Sequence, residues 1–446
     1  MASENLRKEW ALISEWLVNE SPPWAAIRAL NAKRAAALDK ALGTRPLHVG
    51  EAFMRLTGKD LMMGAGEHAK EECGSMQLCA GIESGVEAAI HLVWSVWKDE
   101  GYAMELGEMI GDKYREYAQF LEEPGNEMFS EEELDFGPID SEGATLYDAS
   151  NAFNTLRRYT TLWMNRHRWA KRSRLAFNCY RHFPLVVVKM GPGRRAVLIR
   201  SEEGVSQGDL LAMALYGVAL MPLAEQVKRD VPRHTTPFYA DDTAAAGQVE
   251  KNAEVMRSLV IHGPKFGYHI EPEKCLHICR KQDEAMAKVA FLSKGLKPKF
   301  VRGARYLGGY IGGKIGRDEW VREKIDKWVD GVKILASICK RYPQTAYVGL
   351  TASLQAEWQY VMRVVPGISY LFTPLEEALR GPFLPNLVCM ESIDGDLRKL
   401  MSQGVKQAGF GVRNRVEWAD EVYQMSKSAC AELTDAMVNR NRLHLG

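Results

Sequence analysis

The chain has 446 residues and a formal net charge of +1, with 46% hydrophobic and 26% charged residues. This length allows two or three compact units, and the composition excludes a disordered or fibrous chain. The eight cysteines form no CxxC pair, the N-terminus is polar, and the longest apolar run, residues 210–224, is too short to span a bilayer. We therefore expect a soluble intracellular protein, cytoplasmic or nuclear, that is neither secreted nor membrane-bound.

Charge is distributed unevenly along the chain. Residues 155–200 contain twelve Lys or Arg and no Asp or Glu, and residues 294–341 contain thirteen basic and five acidic residues. Such basic blocks are typical of surfaces that follow a phosphate backbone, although solvated helix faces give the same pattern. Residues 99–142 contain fifteen acidic and two basic residues, which favours a surface insertion.

Hydrophobic periodicity and turn residues predict the first half of the chain. The segment before residue 99 is predicted to be helical, with a break at Arg45-Pro46. Residues 145–148 form a short apolar run that ends in an acid, which predicts a buried strand with Asp148 at its tip. Residues 151–169 are then predicted to be a helix.

The second half of the chain alternates between hairpin and helix signals. Residues 185–199 predict a β-hairpin around a Gly-Pro-Gly turn, and a long apolar helix is predicted from Leu210. Residues 238–243 (FYADDT) place two acids in the turn of another hairpin. Residues 320–339 have an apolar stripe at helical spacing. Interleaved strands and helices of this kind predict an α+β fold.

Cys275, His277 and Cys279 are close enough in sequence to suggest a zinc site. However, alternate spacing in an apolar run is explained more simply by a strand, and no second ligand pair is evident. We therefore predict a strand here.

Three carboxylates are the strongest candidates for chemistry: Asp148, and the adjacent pair Asp241 and Asp242. Like charges held in a tight turn repel each other, and a bound divalent cation is the usual compensation. Hard oxygen ligands with few nearby His or Cys residues favour Mg²⁺ over zinc. For an isolated Asp-Asp pair, a solvated turn is the simpler alternative.

The acids belong to an ordered set of segments that resembles the successive motifs of reverse transcriptases. Residues 146–154 (LYDASNAFN) are similar to the first palm motif, residues 203–209 (EGVSQGD) to the second, and residues 239–242 (YADD) to the third. Residues 266–274 (FGYHIEPEK) are similar to the fourth motif, residues 305–309 (RYLGG) to the primer-grip hairpin, and residues 44–56 to the fingers. The resemblance covers nearly the whole chain and is strongest to eukaryotic retroelements of the non-LTR or related type.

The resemblance implies an α+β right-hand polymerase with fingers, a palm of antiparallel sheet with helices, and a helical thumb. Residues 1–140 would be fingers-like with the acidic insertion near 99–142, residues 141–310 the palm, and residues 311–446 the thumb with a C-terminal extension. The implied activity is that of a retrotransposon nucleotidyltransferase, an RNA-directed DNA polymerase. It would use an RNA template, a DNA primer, dNTPs and Mg²⁺, for which Mn²⁺ could substitute.

The resemblance also implies roles for individual residues. Asp148 and Asp241 would bind both metal ions, and Asp242 would help to hold them. Phe153 would lie under the incoming sugar and exclude a 2′-hydroxyl, unless it is simply a core side chain. Gln207 and Gly208 would form the loop beside the template base.

Further roles follow at the edges of the site. Arg45 would contact the triphosphate as a bidentate donor. Lys274 would donate a proton to the departing pyrophosphate, although an exposed lysine before a strand is a competing interpretation. The primer grip would be formed by Leu307, Gly308 and Gly309.

Departures from the family pattern keep two alternatives open. Leu210 stands where the second motif usually has proline, which would fix the first turn of the following helix. No endonuclease, RNase H or zinc-knuckle signature is visible, which fits a fragment of a longer element protein. One alternative is therefore a catalytically inactive, domesticated or decayed remnant that binds nucleic acid. The other is an RNA-dependent RNA polymerase, against which Phe153 argues.

Overall fold

The computed structural model describes residues 3–40, 43–96, 115, 118, 119, 122 and 141–439. Most of the acidic segment 99–142 lies outside these residues, so its placement as a surface insertion stays a prediction. Over the described ranges the architecture mixes helices with sheets that are mostly antiparallel. No helix within these ranges is long and apolar enough to cross a membrane.

Helices dominate both ends of the chain, whereas the strands are concentrated in its first three quarters. The helices are α1 (Glu4–Asn19), α2 (Trp24–Ile27), α3 (Ala52–Cys73), α4 (Gly85–Val96), α5 (Ala152–Thr155), α6 (Arg158–Arg168), α7 (Ser173–Tyr180), α8 (Ala212–Asp230), α9 (Val249–His262), α10 (Glu284–Leu292), α11 (Lys314–Cys339), α12 (Pro343–Gly349), α13 (Gln355–Val364), α14 (Thr373–Ala378), α15 (Leu384–Val388), α16 (Gly395–Ser402), α17 (Arg415–Ala429) and α18 (Ala431–Asn439). The strands are β1 (Lys33–Lys40), β2 (Gly43–Gly50), β3 (Glu142–Tyr147), β4 (Leu185–Val188), β5 (Val197–Arg200), β6 (Phe238–Tyr239), β7 (Asp242–Gln248), β8 (Leu276–Ile278), β9 (Lys299–Val301), β10 (Gly303–Tyr306) and β11 (Gly309–Gly312).

A five-stranded sheet in the order β6-β7-β3-β8-β9 lies between two hydrophobic cores. Ala245 of β7 packs into a core with α8, α9 and α10, whereas its neighbours Ala244 and Ala246 pack into a core with α4 and α11. Successive side chains of a strand point to opposite faces, so both faces of this sheet are buried. Small alanines at its centre allow helices to approach from both sides.

A second sheet, in the order β2-β1-β4-β5, joins two distant parts of the chain. The helical prediction was wrong for residues 33–50, which form the antiparallel pair β1–β2. Local helix propensity is overridden here by long-range pairing, because Lys33 and Arg34 of β1 pair in parallel with Val186 and Val187 of β4. Pro46 is tolerated because β2 is an edge strand.

The remaining element predictions are largely confirmed. The two predicted hairpins are β4–β5 and β6–β7, the strand before Asp148 is β3, and the apolar helix is α8. The predicted helix at residues 320–339 is part of α11, which begins six residues earlier, at Lys314. The predicted helix 151–169 is broken into α5 and α6, because the Arg157 N–H donates to the Phe266 carbonyl instead of continuing the helix.

The strand predicted at Cys275, His277 and Cys279 is confirmed as β8 with its flanking residues. His277 is 0% exposed, and its Nδ1 lies 2.8 Å from the Thr145 hydroxyl. Phe291 and Phe300 pack beside the imidazole, with ring centroids 5.0 and 5.9 Å away. Burial lowers the pKa of His277 to about 3. The ring is therefore neutral in the folded protein over the physiological range.

This buried imidazole predicts an acid-sensitive fold. An unfolded histidine binds a proton near pH 6.5, but folded His277 stays neutral down to about pH 3. The unfolded state thus holds more protons between these values, so stability is complete above pH 6.5 and falls as pH is lowered. We expect this residue alone to remove about 1.4 kcal/mol of unfolding free energy per pH unit in that window.

Urea unfolding at several pH values between 7 and 5 measures the effect. His277→Gln should flatten the pH dependence, whereas His269→Gln, which changes an exposed histidine, should leave it as in the parent chain. Equal slopes for the parent and His277→Gln would contradict the assignment.

Candidate active site

Acids from two separate motifs lie at one end of the five-stranded sheet. β3 and β7 are antiparallel, with Tyr147 opposite Thr243. Asp148 directly follows β3 and Asp242 begins β7, so continuing the register by one residue puts these two acids opposite each other. Opposed residues in such a pair have Cα atoms about 4.5–5.5 Å apart. The fold therefore brings Asp148 beside the predicted Asp-Asp pair.

The turn that carries this pair has an unusual backbone. Tyr239 pairs with Asp242, so Ala240 and Asp241 form a two-residue turn. Ala240 has φ of +53°, in the left-handed region that side-chain-bearing residues seldom adopt. Two-residue hairpin turns commonly need such a conformation, and glycine or asparagine usually supplies it. The alanine must therefore be held in place by its surroundings.

Two buried side chains hold the turn. Gln77 is 0% exposed, and its Oε1 accepts a hydrogen bond from the Ala240 N–H at 2.9 Å. The Gln77 Nε2 donates to the Ala240 carbonyl at 3.4 Å. The Tyr268 hydroxyl donates to the Asp241 carbonyl at 3.0 Å and lies 3.0 Å from the Thr243 hydroxyl. The position of the acidic pair thus depends on residues far away in sequence.

The backbone of Asp148 is fixed from the fourth predicted motif. Its N–H donates to Cys275 Sγ at 3.3 Å, and its carbonyl accepts from the Glu271 N–H at 3.0 Å. Lys274 is exposed and forms an ion pair with Glu271. A hydrogen bond to Glu271 raises the pKa of Lys274, and Asp148 adds to this effect. Lys274 therefore lies on the Asp148 side of the site, as a protonated side chain.

Three buried phenols lie near the acidic pair, those of Tyr216, Tyr268 and Tyr306. Burial raises the pKa of each phenol. The carboxylates of Asp241 and Asp242 add to the rise at Tyr216 and Tyr268, and that of Asp242 adds to it at Tyr306. The three hydroxyls consequently stay neutral and add no charge of their own beside the acidic pair.

The carboxylate oxygens at this end of the sheet are the kind of donor atom that Mg²⁺ prefers. Within the described ranges, no group of three or more His, Cys, Asp or Glu side chains is placed to hold a metal ion. Magnesium, however, commonly takes one or two carboxylates, while waters and substrate phosphates complete its coordination. Carboxylates on neighbouring strands match that pattern. Burial raises the pKa of the nearby Cys275 thiol to about 12, and its Sγ accepts a hydrogen bond from the Asp148 N–H.

Phe153 lies in α5, one turn after Asp148. Its ring stacks on Tyr216 of α8, with centroids 4.4 Å apart and planes at 22°. The Phe153 carbonyl accepts from the Val205 N–H at 2.9 Å, which ties the first predicted motif to the second. Phe153 is neither fully buried nor fully exposed.

The Gln207–Gly208 segment contacts strand β2. The Gln207 carbonyl accepts from the His48 N–H at 2.8 Å. Gly208 has φ of +97°, and a Cβ there would lie 2.7 Å from the His48 carbonyl oxygen. Glycine is therefore required both by its conformation and by the approach of β2. The group that approaches Gly208 here is a strand of the protein itself, and the position of this loop beside a template base stays a prediction.

A largely buried ion pair anchors the next residue of this loop. Asp209 lies 3.2 Å from Lys33 Nζ, accepts from the Tyr180 hydroxyl at 2.5 Å, and accepts from the Leu211 N–H at 3.1 Å. Burial alone would raise the pKa of Asp209, but Lys33 and these hydrogen bonds outweigh it and hold the pKa below its ordinary value. Leu210 is 43% exposed beside this anchored turn. The Leu211 and Ala212 N–H groups both donate to Asp209, which helps to fix the start of α8.

The remaining predicted site residues belong to strand β2 and to the β10–β11 hairpin. Arg45 lies in β2 opposite Leu38, and its side chain is outside the described part of the structure. Leu307 and Gly308 form the tight turn of the β10–β11 hairpin, with φ of +46° and +79°. The Tyr360 hydroxyl donates to the Leu307 carbonyl, and a Cβ on Gly309 would lie 3.2 Å from Ile90 and Val364. This hairpin is therefore docked on α4 and α13.

Sequence reasoning missed two structural residues. Gln77 has no local signal, because its partner Ala240 is 163 positions away. Arg158 was counted in a basic block expected to contact phosphates, but it is 6% exposed. Its guanidinium donates to the carbonyls of His182, Ser201, Glu203 and Gly204. This arginine therefore anchors the segment that leads from β5 to the second motif.

Comparisons with known proteins add similarity in structure only. No protein-family model matches the sequence, and no curated protein is similar to it. Among solved structures, apo telomerase from Candida tropicalis is 11% identical with a TM-score of 0.43, over 98% of this chain and 70% of that one. The same telomerase truncated from its C-terminal domain is 9% identical with a TM-score of 0.36, over 69% and 58%.

Telomerase from Candida albicans, in complex with a TWJ fragment of telomeric RNA, is 8% identical with a TM-score of 0.40, over 98% and 66%. The present chain thus corresponds to between 58% and 70% of the length of these three proteins. All three TM-scores lie below 0.5.

Proposed function

We propose that this chain is an RNA-directed DNA polymerase of the reverse-transcriptase type, with a retroelement origin. The observation that carries the proposal is the pairing of β3 with the β6–β7 hairpin, which brings Asp148 beside Asp241 and Asp242. The site combines acids from two motifs at one end of the sheet with a partly exposed aromatic ring and a glycine-containing loop. Such an enzyme needs these components. The predicted boundaries of fingers, palm and thumb at residues 140 and 310 remain part of this proposal.

In the proposed mechanism each residue acts from the position described above. Asp148, Asp241 and Asp242 hold the metal ions, which when bound would activate the primer 3′-hydroxyl and stabilise the leaving pyrophosphate. Phe153 supports the incoming sugar, while Gln207 and Gly208 border the templating base. Lys274, protonated beside Asp148, supplies a proton to the pyrophosphate. Leu307, Gly308 and Gly309 position the primer end, and Arg45 contacts the triphosphate.

Primer extension by the purified chain tests the proposal. The substrates are an RNA template annealed to a DNA primer, dNTPs, and either Mg²⁺ or Mn²⁺. We expect template-directed extension that requires the metal ion and disappears in the Asp241→Asn, Asp242→Asn double variant. A folded chain that binds the template but extends no primer with either metal would instead support the nucleic-acid-binding remnant. Restoring proline at Leu210 is then the variant to assay next.

Sugar selectivity tests the role of Phe153. Replacing it with alanine removes the ring that would exclude a 2′-hydroxyl, so the preference for dNTPs over rNTPs in kcat/KM should fall by about a hundredfold. Tyr216→Phe keeps the stacked ring and should preserve the preference. Single-nucleotide addition with each nucleotide type measures both. Unchanged selectivity in Phe153→Ala would remove this assignment, and a parent chain that prefers rNTPs would point to an RNA polymerase.

A further inference from the structure

Helix α6 presents an exposed row of aromatic side chains. Tyr159 is 79% exposed and Trp163 is 51% exposed, and their rings stack with centroids 6.4 Å apart and planes at 18°. His167 continues the row, 4.4 Å from Trp163. These residues are four positions apart and therefore share one face of the helix. No part of the proposed polymerase mechanism uses them.

The opposite face of α6 explains why the helix forms and stays in place. Arg158, Thr161 and Asn165 are buried, and the Asn165 amide donates to the Leu215 carbonyl of α8 at 3.2 Å. The helix is thus anchored without the aromatic row, which remains on the surface. Large exposed aromatic residues in a row are uncommon on a soluble protein unless they bind something.

The charge around the row indicates the kind of partner. Residues 155–200 carry twelve basic residues and no acidic ones, although the buried Arg158 does not contribute to the surface. Arg166 is exposed on the same helix face, and Arg157 is exposed just before the helix begins. Arg168 points elsewhere and pairs with Glu225 of α8 at 2.8 Å. An aromatic row within a positive surface complements a polyanion that offers flat rings for stacking.

We propose that this face of α6 is a stacking platform for single-stranded nucleic acid. Unpaired bases stack on Trp163 and Tyr159, while Arg166 contacts the phosphates. A duplex does not fit this chemistry, because its bases are already stacked on one another and only their edges are accessible. The platform goes beyond the proposed polymerase site and needs no nucleotide addition. Binding here and primer extension can therefore succeed or fail separately.

Fluorescence anisotropy with the full chain tests the platform. A labelled single-stranded RNA or DNA oligonucleotide is titrated without dNTPs. Saturating unlabelled primer–template occupies the proposed polymerase site, and its template extends only one nucleotide beyond the primer, so that it offers no unpaired strand to the platform. We expect Tyr159→Ala with Trp163→Ala to raise Kd about tenfold or more. Trp163→Phe, which keeps a ring, should retain most of the affinity. Arg166→Ala should lower the slope of log Kd against log salt concentration by about one.

Matched controls make the result specific. Trp16 of α1 is also exposed, at 42%, so Trp16→Ala should leave the affinity unchanged. An unchanged Kd in the double alanine variant would overturn the proposal, and so would an equal loss in Trp16→Ala or an equal loss for duplex DNA. A concentration-dependent dimer that disappears in Trp163→Ala would also overturn it, since the row would then bind a second copy of the chain.

Discussion

Replacing Asp148 with asparagine is expected to lower kcat for nucleotide addition on the order of a thousandfold without unfolding the protein. The carboxylate is exposed at the end of β3, so no packing is lost. Asparagine has nearly the same volume as aspartate, so we expect the variant to stay folded. The loss of rate follows because a metal ligand acts directly on the charge that develops during the reaction.

Single-turnover extension and a thermal-shift assay with Mn²⁺ measure the two halves of this prediction. Mn²⁺ should raise the melting temperature of the parent chain, because a ligand that binds only the folded state stabilises it. That shift should vanish in Asp148→Asn. Glu273→Gln, which changes an exposed acid on the turn that contacts Asp148, is the matched control and should behave as the parent. Asp148→Asn with a rate within about threefold of the parent would rule out the metal role.

Replacing Gln77 with leucine is expected to reduce both stability and activity. The N–H and carbonyl of Ala240 would lose their side-chain partners inside the core, which costs about 2–3 kcal/mol of unfolding free energy. The left-handed Ala240 would then be free to relax, and Asp241 would move with it. Because displacements of about 1 Å at a reacting centre can cost a hundredfold in rate, we expect kcat to fall by about 10- to 100-fold.

A second substitution separates positioning from general destabilisation. Glycine adopts a positive φ without strain, so Ala240→Gly should recover part of the activity of Gln77→Leu while the buried partners remain missing. Urea unfolding and single-turnover rates give the two readouts. Ser75→Ala, a buried polar residue of the same segment that contacts Ala436 instead, should destabilise the chain without a comparable fall in kcat. If Gln77→Leu kept the parent rate, Gln77 would stabilise the core without positioning the acidic turn.

The parts of the site that follow from local pattern could be predicted from the sequence. The apolar run before Asp148 and the apolar flanks of Asp241-Asp242 carry a strand and a hairpin signal, and both elements are present. The sequence also places a glycine at position 208, where the backbone has a φ of +97° that glycine tolerates. In each case the signal lies within a few residues, because it depends on turn-forming residues and on the alternation of apolar and polar side chains.

Features that depend on long-range contacts could not be predicted. Residues 34–37 (RAAA) have the composition of a helix, and only pairing with β2 and β4 makes them a strand. The buried role of Arg158 depends on carbonyls 24 to 46 positions away. Charge counts along the sequence treat such an arginine as a surface cation, because they contain no information about burial.

The four-stranded sheet β2-β1-β4-β5 has a consequence for how the chain is made. β1 and β2 are synthesised long before β4, yet β1 completes its hydrogen bonding only when Val186 and Val187 pair with it. During translation the β1–β2 hairpin therefore presents an open strand edge while about 135 further residues emerge, or roughly 7 to 27 seconds at ordinary elongation rates. An unpaired edge of this duration is a site for wrong association between nascent chains. Production of folded protein should accordingly improve with slower initiation and with chaperones that shield extended segments.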